Sequence, residues 1–302
     1  MTDTTYRGRF APSPTGPLHF GSLVTALASY LEARSGQGAW LVRIEDLDPL
    51  RESPEATDQI LQSLHCHQLR PDGDVRCQSD RLDVYRHYAS QLIEQGHAYY
   101  CACSRKELAA NGGRHPRHCR DGGTPPSDRP LAIRFALHDE EACWQDRILG
   151  SQRQVVRAEV DDPVIIRKEG FVAYQLAVVV DDIDQEITEV VRGSDLLETT
   201  AQQRQICHAL GGTPPCWAHI PVVLNSQGQK LSKQNHAPAL DDRQPGRNLW
   251  RALKTLGQQP PPELADAPPQ AVLEWGLGHW SMASIPHHHT TDTLPPARPA
   301  GA

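Results

Sequence analysis

Two separated stretches of the chain carry residue types that suit the binding of nucleotide phosphates. The first covers residues 11–21 and places small, turn-forming residues and His19 directly before a segment with helical spacing. A helix that begins there offers unpaired N–H groups and the positive end of its dipole to an anion. Gly16 and Gly21 allow the backbone to approach a ligand closely, and His19 can donate a hydrogen bond to a phosphate oxygen. Together with Ser22, these residues form a predicted ATP site.

The second stretch, Lys230-Leu-Ser-Lys-Gln234, places two lysines on a loop that follows Gly228. We expect Lys233 to stabilise charge on the α-phosphate and the leaving pyrophosphate, and Lys230 to assist. Ser232 belongs to the same predicted ATP site. In-line attack on phosphorus needs positioning and charge stabilisation, so no nucleophilic side chain is required. Lysine-rich loops are more often solvated surface, and the prediction therefore depends on both stretches closing over one nucleotide.

The elements around the first stretch follow the order of an open parallel sheet. Residues 6–10 and 39–44 have the composition of strands, and residues 22–34 between them place apolar side chains at helical spacing. A strand, a loop, a helix and a second strand form the βαβ unit of such a sheet. Further helices are predicted at residues 54–64, 82–95 and 196–210, and a further strand at residues 164–167.

A group of cysteine and histidine residues lies in a segment rich in Cys, His, Arg, Gly and Pro. Cys101, Cys103, His115 and Cys119 supply three sulfurs and one nitrogen, a set that suits a tetrahedral zinc ion. His118 is the alternative to His115, although it adjoins Cys119 and neighbouring residues rarely both reach one ion. Four protein ligands leave no open position for water, so the predicted zinc is structural.

Length and composition bound the class of protein. The chain has 302 residues, of which 38% are hydrophobic and 22% charged, as in ordinary soluble globular proteins. It contains no apolar run of the roughly 20 residues that span a bilayer, and its N-terminus lacks the apolar core of a secretion signal. We therefore expect a cytoplasmic monomer with no membrane partner. The net charge of −7 argues against a protein that coats nucleic acid, but it leaves room for a local basic face.

Five stretches, in the same order, resemble the glutamate-specific branch of the class I aminoacyl-tRNA synthetases, and most closely its tRNA-modifying members. The two phosphate-binding stretches correspond to the HIGH and KMSKS signatures of that class. His19-Phe20-Gly21-Ser22 departs from HIGH at its second and fourth places, and the lysine loop lacks the final serine of KMSKS. The atoms assigned to phosphate are retained in both. The five stretches are residues 8–22, 41–49, 173–182, 190–196 and 230–240.

The resemblance implies a pocket for glutamate. Glutamate presents two carboxylates and one ammonium, so its pocket should offer arginine forks and a carboxylate. Arg9 and Arg192 are the candidate forks, and the sequence leaves open which of them holds the side-chain carboxylate. Glu45 would take the ammonium, and Tyr174 would supply a hydroxyl and a wall. The implied contact stretch also includes Phe10, Ala11, Pro12 and Ser13.

The resemblance also implies the fold, a Rossmann-like α/β class I synthetase catalytic domain with a parallel sheet, an inserted zinc-binding subdomain and a short helical C-terminal extension. The catalytic domain would comprise residues 1–98 and 163–215, and the inserted subdomain residues 99–162. The lysine loop and a helical extension would occupy residues 216–257. A Pro-rich segment and tail would fill residues 258–302, and we expect disorder from residue 286.

The implied reaction is ATP-dependent activation of L-glutamate to glutamyl-adenylate, with Mg²⁺ accompanying the ATP. Few residues follow Gln234, which leaves little room for the anticodon-binding region of an ordinary glutamyl-tRNA synthetase. The resemblance therefore implies activation without tRNA, followed by transfer of glutamate to queuosine at the wobble position of tRNA(Asp), bound through its anticodon stem-loop. The alternatives are a truncated glutamyl-tRNA synthetase, an adenylating enzyme with another acceptor, and a regulator that has lost turnover.

Overall fold

The computed structural model describes residues 5–53, 55–122, 130–156, 158–225, 227–231, 237–288 and 290–292. The strands in this part of the chain are β1 (Arg7–Phe10), β2 (Ala39–Ile44), β3 (Arg76–Cys77), β4 (Ala98–Cys101), β5 (Ala132–Phe135), β6 (Glu141–Asp146), β7 (Gly150–Val155), β8 (Val164–Ile166), β9 (Glu189–Gly193), β10 (Cys216–Ile220), β11 (Val222–Leu224) and β12 (Thr290–Asp292). The α-helices are α1 (Phe20–Ser35), α2 (Ala56–Cys66), α3 (Leu82–Glu94), α4 (Arg105–Ala110), α5 (His118–Asp121), α6 (Tyr174–Asp184), α7 (Thr200–Ala209), α8 (Pro245–Thr255) and α9 (Pro269–His279).

The main sheet contains seven strands in the order β3-β2-β1-β9-β10-β6-β7. All neighbouring pairs are parallel except β6 with β7. The order of the strands reverses where β1 lies between β2 and β9. Open α/β sheets bind ligands at the carboxyl ends of the strands at such a switch point. The predicted α/β class with a parallel sheet is confirmed, and the sheet places its ligand crevice beyond β1 and β9.

Helix α1 follows β1 and is buried on several sides, against the sheet and against α8 and α9. Leu23, Leu27 and Leu31 recur every fourth residue and are fully buried, as the 3.6-residue period of a helix requires. Trp40 of β2 donates from its indole nitrogen to the hydroxyl of Ser29 at 2.9 Å, so both buried polar groups have a partner. The helix predicted from this spacing is confirmed, and it begins at Phe20.

A second, antiparallel sheet contains β4, β5 and β8 in that order. β6 and β7 come from the segment that the sequence indicates as an insertion, but they pair with the main sheet, with Asp146 in register with Trp217. The domain boundaries stay a prediction.

The predicted helix at residues 196–210 has a different first turn. Residues Ser194–Thr199 form a 3-10 helix, and α7 begins only at Thr200. The carbonyl of Leu196 accepts hydrogen bonds from Arg192 at 3.2 Å and from Thr199 at 2.7 Å, both through side chains. These side-chain bonds occupy an acceptor that a regular α-helical turn would use.

The disorder expected from residue 286 is wrong for part of the tail. Strand β12 pairs in parallel with β11, and the ring of His287 lies 2.6 Å from the carbonyl of Ile148. A short strand with an open edge leaves backbone groups that another segment can pair with. Residues 293–302 lie outside the described part of the chain. Where the chain is described, its helices are too short or too polar to span a bilayer.

Candidate active site

A cavity of about 750 Å³ lies at the switch point of the main sheet. The loops after β1 and β2, the start of α1, the start of α6 and the end of β9 meet there because parallel strands place their carboxyl ends on one edge. The predicted site residues that line it are Arg9, Phe10, Ala11, Pro12, Ser13, His19, Gly21, Ser22, Glu45, Tyr174, Arg192 and Lys230. Gly16 lies in the loop before α1 with φ of 146° and is not one of the described lining residues. Ser232 and Lys233 lie outside the described residues.

The start of α1 forms one wall of the cavity. His19 is the N-cap residue, and its Nδ1 accepts a hydrogen bond from the backbone N–H of Ser22 at 3.1 Å. A neutral imidazole that accepts at Nδ1 carries its proton on Nε2, which lies 3.1 Å from the hydroxyl of Ser22. Within this fully described helix the first turn contains no acidic residue. The positive end of the helix dipole is therefore available to an anion.

The lysine-bearing loop contacts the start of α1 at both of its ends. The carbonyl oxygen of Leu231 lies 3.6 Å from the position that a β-carbon on Gly21 would occupy. After the undescribed residues 232–236, Leu240 donates its backbone N–H to the carbonyl of Leu18 at 2.8 Å. The loop therefore begins and ends beside the start of α1.

Lys230 lies at the beginning of that loop and lines the same cavity as His19. Its Nζ is 2.5 Å from Oδ2 of Asp195, a residue that follows β9. The cavity therefore combines a helix N-terminus, an imidazole donor and an ammonium group, a set suited to a polyphosphate.

Arg9 and Glu45 belong to a buried network of charges beside the cavity. Nε of Arg9 lies 3.2 Å from Oδ1 of Asp182, and Arg43 contacts both Asp182 at 2.9 Å and Glu45 at 3.4 Å. Burial raises the pKa of Glu45 to about 7, although Arg43 and Arg9 oppose the shift. Burial acts in the same direction on Asp182, but the charges of Arg9 and Arg43 hold its pKa below the ordinary value. Asp182 is therefore a permanent counter-ion, whereas Glu45 titrates near neutral pH.

Tyr174 lies at the start of α6, and Arg192 lies on β9, the strand that neighbours β1 on the side opposite β2. Nη1 of Arg192 donates to Oε1 of Gln203 at 2.6 Å, and Nη2 donates to the hydroxyl of Thr200 at 3.0 Å. Burial, followed by the charge of Glu45, raises the pKa of Tyr174, so its phenol stays protonated. Two arginines, one carboxylate and one phenol thus face a common space, and they complement an amino acid with a second carboxylate.

The cysteine cluster assembles away from these lining residues. One ligand atom from each of Cys101, Cys103, His115 and Cys119 lies within 4.8 Å of the others, and all four residues are buried. The sulfurs of Cys103 and Cys119 are 3.6 Å apart, close to the separation of about 3.8 Å for two thiolates on tetrahedral zinc. The donor set and its spacing could hold a metal ion.

The two histidine candidates differ in burial. Nε2 of His115 is buried and has no hydrogen-bond partner among the described residues, which is the condition of an atom that lacks its ligand. Nδ1 of His115 lies 3.0 Å from the hydroxyl of Tyr99, which donates to Asp162 at 2.8 Å, and this chain orients the ring. His118 is exposed, and its Nε2 lies 3.5 Å from the sulfur of Cys103. The structure thus places both histidines beside the sulfurs but buries only His115.

Sequence reasoning missed several residues that support the cavity. Asp182 and Asp195 both lie inside stretches that carry the resemblance, yet neither was assigned a contact. The chain offers no local signal for their partners, because Asp182 pairs with Arg9 and Asp195 pairs with Lys230 across long separations in sequence. Only the sheet order brings these pairs together.

Comparison with known proteins agrees with this fold. The family model of tRNA synthetases class I (E and Q), catalytic domain, matches residues 5–248. A solved glutamate tRNA ligase from Elizabethkingia meningosepticum, in complex with its amino acid, aligns with a TM-score of 0.80 at 24% identity. The alignment covers 96% of this chain and 67% of that chain. The protein is a ligase of the class I aminoacyl-tRNA synthetase type.

Curated relatives define the family more narrowly. The glutamyl-Q tRNA(Asp) synthetase of Pseudomonas aeruginosa strain PAO1 is 46% identical over 295 residues, which is 98% of this chain and 99% of the relative. The protein of the same name from Vibrio cholerae is 43% identical and is covered over 92% of its length. The chain belongs to the glutamyl-Q tRNA(Asp) synthetase family. The resemblance carried by the five stretches is confirmed.

Proposed function

We propose that this enzyme activates L-glutamate with ATP in the absence of tRNA and then transfers the glutamate to queuosine at the wobble position of tRNA(Asp). One observation carries the proposal. A single cavity brings the start of α1 and Lys230 together with Arg9, Glu45 and Arg192. A phosphate-binding wall and an amino-acid-binding wall are both needed to make an aminoacyl-adenylate.

In the first step the α-carboxylate of glutamate attacks the α-phosphorus of ATP, an O–P bond forms, and pyrophosphate leaves. The residues assigned to ATP are Gly16, His19, Gly21, Ser22, Lys230, Ser232 and Lys233. Backbone N–H groups at the start of α1, the His19 donor and the two lysines would stabilise the charge on the phosphates and the leaving group. Mg²⁺ bound with ATP would neutralise part of the same charge. No protein nucleophile takes part, since positioning and charge stabilisation suffice.

Glutamate specificity would come from the charges on the other wall. Arg9 and Arg192 would each hold a carboxylate, and Glu45 in its ionised form would accept the ammonium. The bond from Asp182 holds Arg9 in place from behind, so its guanidinium is oriented before the substrate arrives. The protonated phenol of Tyr174 would donate to a carboxylate, while Phe10, Ala11, Pro12 and Ser13 would contact the substrate backbone.

In the second step a hydroxyl of the queuosine cyclopentene ring attacks the activated carbonyl, an ester forms, and AMP leaves. The cis-diol of that ring resembles the ribose end that synthetases of this class esterify. Support for queuosine on tRNA(Asp) as the acceptor comes from the names of the relatives in Pseudomonas aeruginosa and Vibrio cholerae, and we propose that the enzyme binds this tRNA through its anticodon stem-loop. We propose that the enzyme works as a cytoplasmic monomer, following the sequence expectations.

A structural zinc ion completes the proposal. Cys101, Cys103, His115 and Cys119 would hold it, and the ion would connect β4 to α5 across the connecting segment. The buried and unpartnered Nε2 of His115 favours this residue over His118 as the fourth ligand. With all four positions taken by protein, zinc would stabilise the fold and take no part in the reaction.

Exchange of labelled pyrophosphate into ATP tests the activation step. We expect glutamate-dependent exchange with no tRNA present, and little exchange when glutamine or aspartate replaces glutamate. Exchange that appears only after tRNA is added would instead indicate an ordinary glutamyl-tRNA synthetase. No exchange under either condition would contradict adenylate formation.

A further inference from the structure

Three buried side chains behind the cavity are connected in series by hydrogen bonds, and the last of them is Arg192. Nε of Arg192 donates to Nε2 of His219 at 3.0 Å, and Nδ1 of His219 lies 2.5 Å from Oδ2 of Asp146. The exposed fractions of Arg192, His219 and Asp146 are 3%, 0% and 1%. Three neighbouring strands, β9, β10 and β6, each contribute one member. Of the three side chains, only Arg192 lines the cavity.

The protons in this hydrogen-bonded series can be placed from chemistry alone. An arginine side chain only donates, so Nε2 of His219 has to accept from Arg192. A neutral imidazole that accepts at Nε2 carries its proton on Nδ1, which then donates to Asp146. Burial lowers the pKa of His219 and so favours the neutral ring. A charged ring would carry a proton on Nε2 as well as on Nδ1, and the Nε2 proton would then face the Nε–H of Arg192 with no acceptor between them.

The carboxylate of Asp146 has no freedom to turn. Its Oδ1 accepts from the backbone N–H groups of Ile148 at 3.0 Å, Leu149 at 2.9 Å and His219 at 3.2 Å. Only Oδ2 is left for the imidazole. The orientation of Asp146 therefore fixes the tautomer of His219, and the tautomer decides whether Nε2 of His219 can accept from Nε of Arg192.

We propose that Asp146 and His219 are positioning residues for glutamate, because they hold Nε of Arg192 while Gln203 and Thr200 hold its other nitrogens, and together these bonds orient the guanidinium toward a substrate carboxylate. This inference rests on the proposed function, in which Arg192 binds glutamate. Neither residue touches the substrate. The competing explanation is that the pair only fills the space between three strands.

Asp146→Asn separates the two explanations because it changes protons and almost no volume. The three backbone N–H groups require an acceptor, so the amide oxygen stays at the Oδ1 place and the NH₂ group faces His219. The ring then has to accept at Nδ1 and carry its proton on Nε2, where it opposes the N–H of Arg192. We expect the KM for glutamate in pyrophosphate exchange to rise roughly 10- to 100-fold. The KM for ATP should change less than about twofold.

His219→Gln supplies the matched control. With Asp146 in place, the glutamine NH₂ can donate to Oδ2 of Asp146 while its oxygen accepts from Nε of Arg192. A pair that only fills space predicts the same glutamate KM for His219→Gln and His219→Leu. His219→Gln should remain close to the unaltered enzyme, whereas His219→Leu should show the raised KM.

Long-range ¹H–¹⁵N spectra of histidine-labelled protein read the tautomer without any activity. The unaltered protein should show the His219 proton on Nδ1, and the Asp146→Asn variant should show it on Nε2. A folded Asp146→Asn variant with an unchanged glutamate KM, or equal glutamate KM values for His219→Gln and His219→Leu, would overturn the proposal. If the unaltered enzyme shows no glutamate-dependent exchange, the proposed function fails and the positioning role for glutamate fails with it. In that case the spectra still test the tautomer assignment.

Discussion

Lys230 and Asp195 form an ion pair at the cavity wall, with 2.5 Å between Nζ and Oδ2. The two side chains keep 42% and 35% of their surface exposed. Exposed pairs of this kind contribute about 1 kcal/mol or less. A bound triphosphate can therefore take Lys230 from Asp195 at small cost, and the pair keeps the ammonium near the place where phosphate would bind.

Lys230→Ala should lower kcat for pyrophosphate exchange by about 10²-fold, because it removes one charged donor from the leaving group. The Tm should change little, since the lost ion pair is exposed. Lys254→Ala is the matched control. Lys254 is an exposed lysine stacked on Trp250 in the C-terminal part of the chain. Equal exchange rates for the two variants would remove Lys230 from the phosphate site.

Glu45 predicts a pH dependence of glutamate binding. Burial raises the pKa of Glu45 to about 7, and only its ionised form can accept an ammonium. The kcat/KM for glutamate should therefore fall about tenfold per pH unit below a midpoint near 7 in the free enzyme. Glu45→Gln should lose this midpoint and most of the activity, while Glu263→Gln, at an exposed position, should keep both. A midpoint that persists in Glu45→Gln would assign it to another group.

The raised pKa of Glu45 also predicts that the stability of the fold falls as pH rises, whereas glutamate binding improves. A carboxyl whose pKa is higher in the folded than in the unfolded state binds its proton more tightly when folded. Its contribution to stability is full below the unfolded pKa and is lost as pH rises through about 7. Glu45→Gln should therefore be as stable as the unaltered protein at pH 5 and more stable at pH 8. Chemical denaturation at both pH values measures the difference, and a variant that is less stable at pH 8 would contradict this assignment.

Two glycines form a matched pair for the contact between α1 and the lysine loop. A β-carbon on Gly21 would lie 3.2 Å from the ring of His19 and 3.6 Å from the carbonyl of Leu231, whereas one on Gly278 would have no neighbour within 4 Å. Gly21→Ala should raise the KM for ATP several-fold because the ring of His19 has to move away from the new methyl group. Gly278→Ala, inside α9, should leave the kinetics unchanged and stabilise the fold by about 0.5–1 kcal/mol. Unchanged ATP binding in Gly21→Ala would show that the position of the His19 ring is not important for ATP.

Metal analysis tests the cysteine cluster. The purified protein should contain about one zinc ion per chain, and Cys119→Ser and His115→Ala should both lose it together with several degrees of Tm. Cys143→Ser, which changes an exposed free thiol, and His118→Ala should retain the ion. Loss of zinc from His118→Ala with retention in His115→Ala would reverse the assignment of the fourth ligand.

Local patterns in the sequence were sufficient for much of the first half of the fold. The spacing of Leu23, Leu27 and Leu31 predicts α1, and the composition of residues 39–44 predicts β2, because each pattern reflects contacts made within a few residues. The pairing of β6 with β10 was not predictable. It joins Asp146 to Trp217 across about seventy positions, and no local pattern reports such a distance.

The residues of the cavity also divide into those that the sequence could predict and those that it could not. Motif residues such as His19 and Glu45 could be selected from the sequence because they occur in short, recognisable stretches. Their supporting residues could not, because Asp182 and Asp146 act through partners brought to them by the sheet. Propensity also failed at Leu196, where side-chain hydrogen bonds replace the first turn of a predicted helix.

Transfer of labelled glutamate to tRNA(Asp) tests the central claim most directly. Two forms of this tRNA should be compared, one with queuosine and one with guanosine at the wobble position, both with an intact acceptor end. We predict label only on the queuosine form, recovered in the anticodon stem-loop after nuclease digestion. Equal labelling of both forms, or label on the acceptor end of tRNA(Glu), would contradict the account.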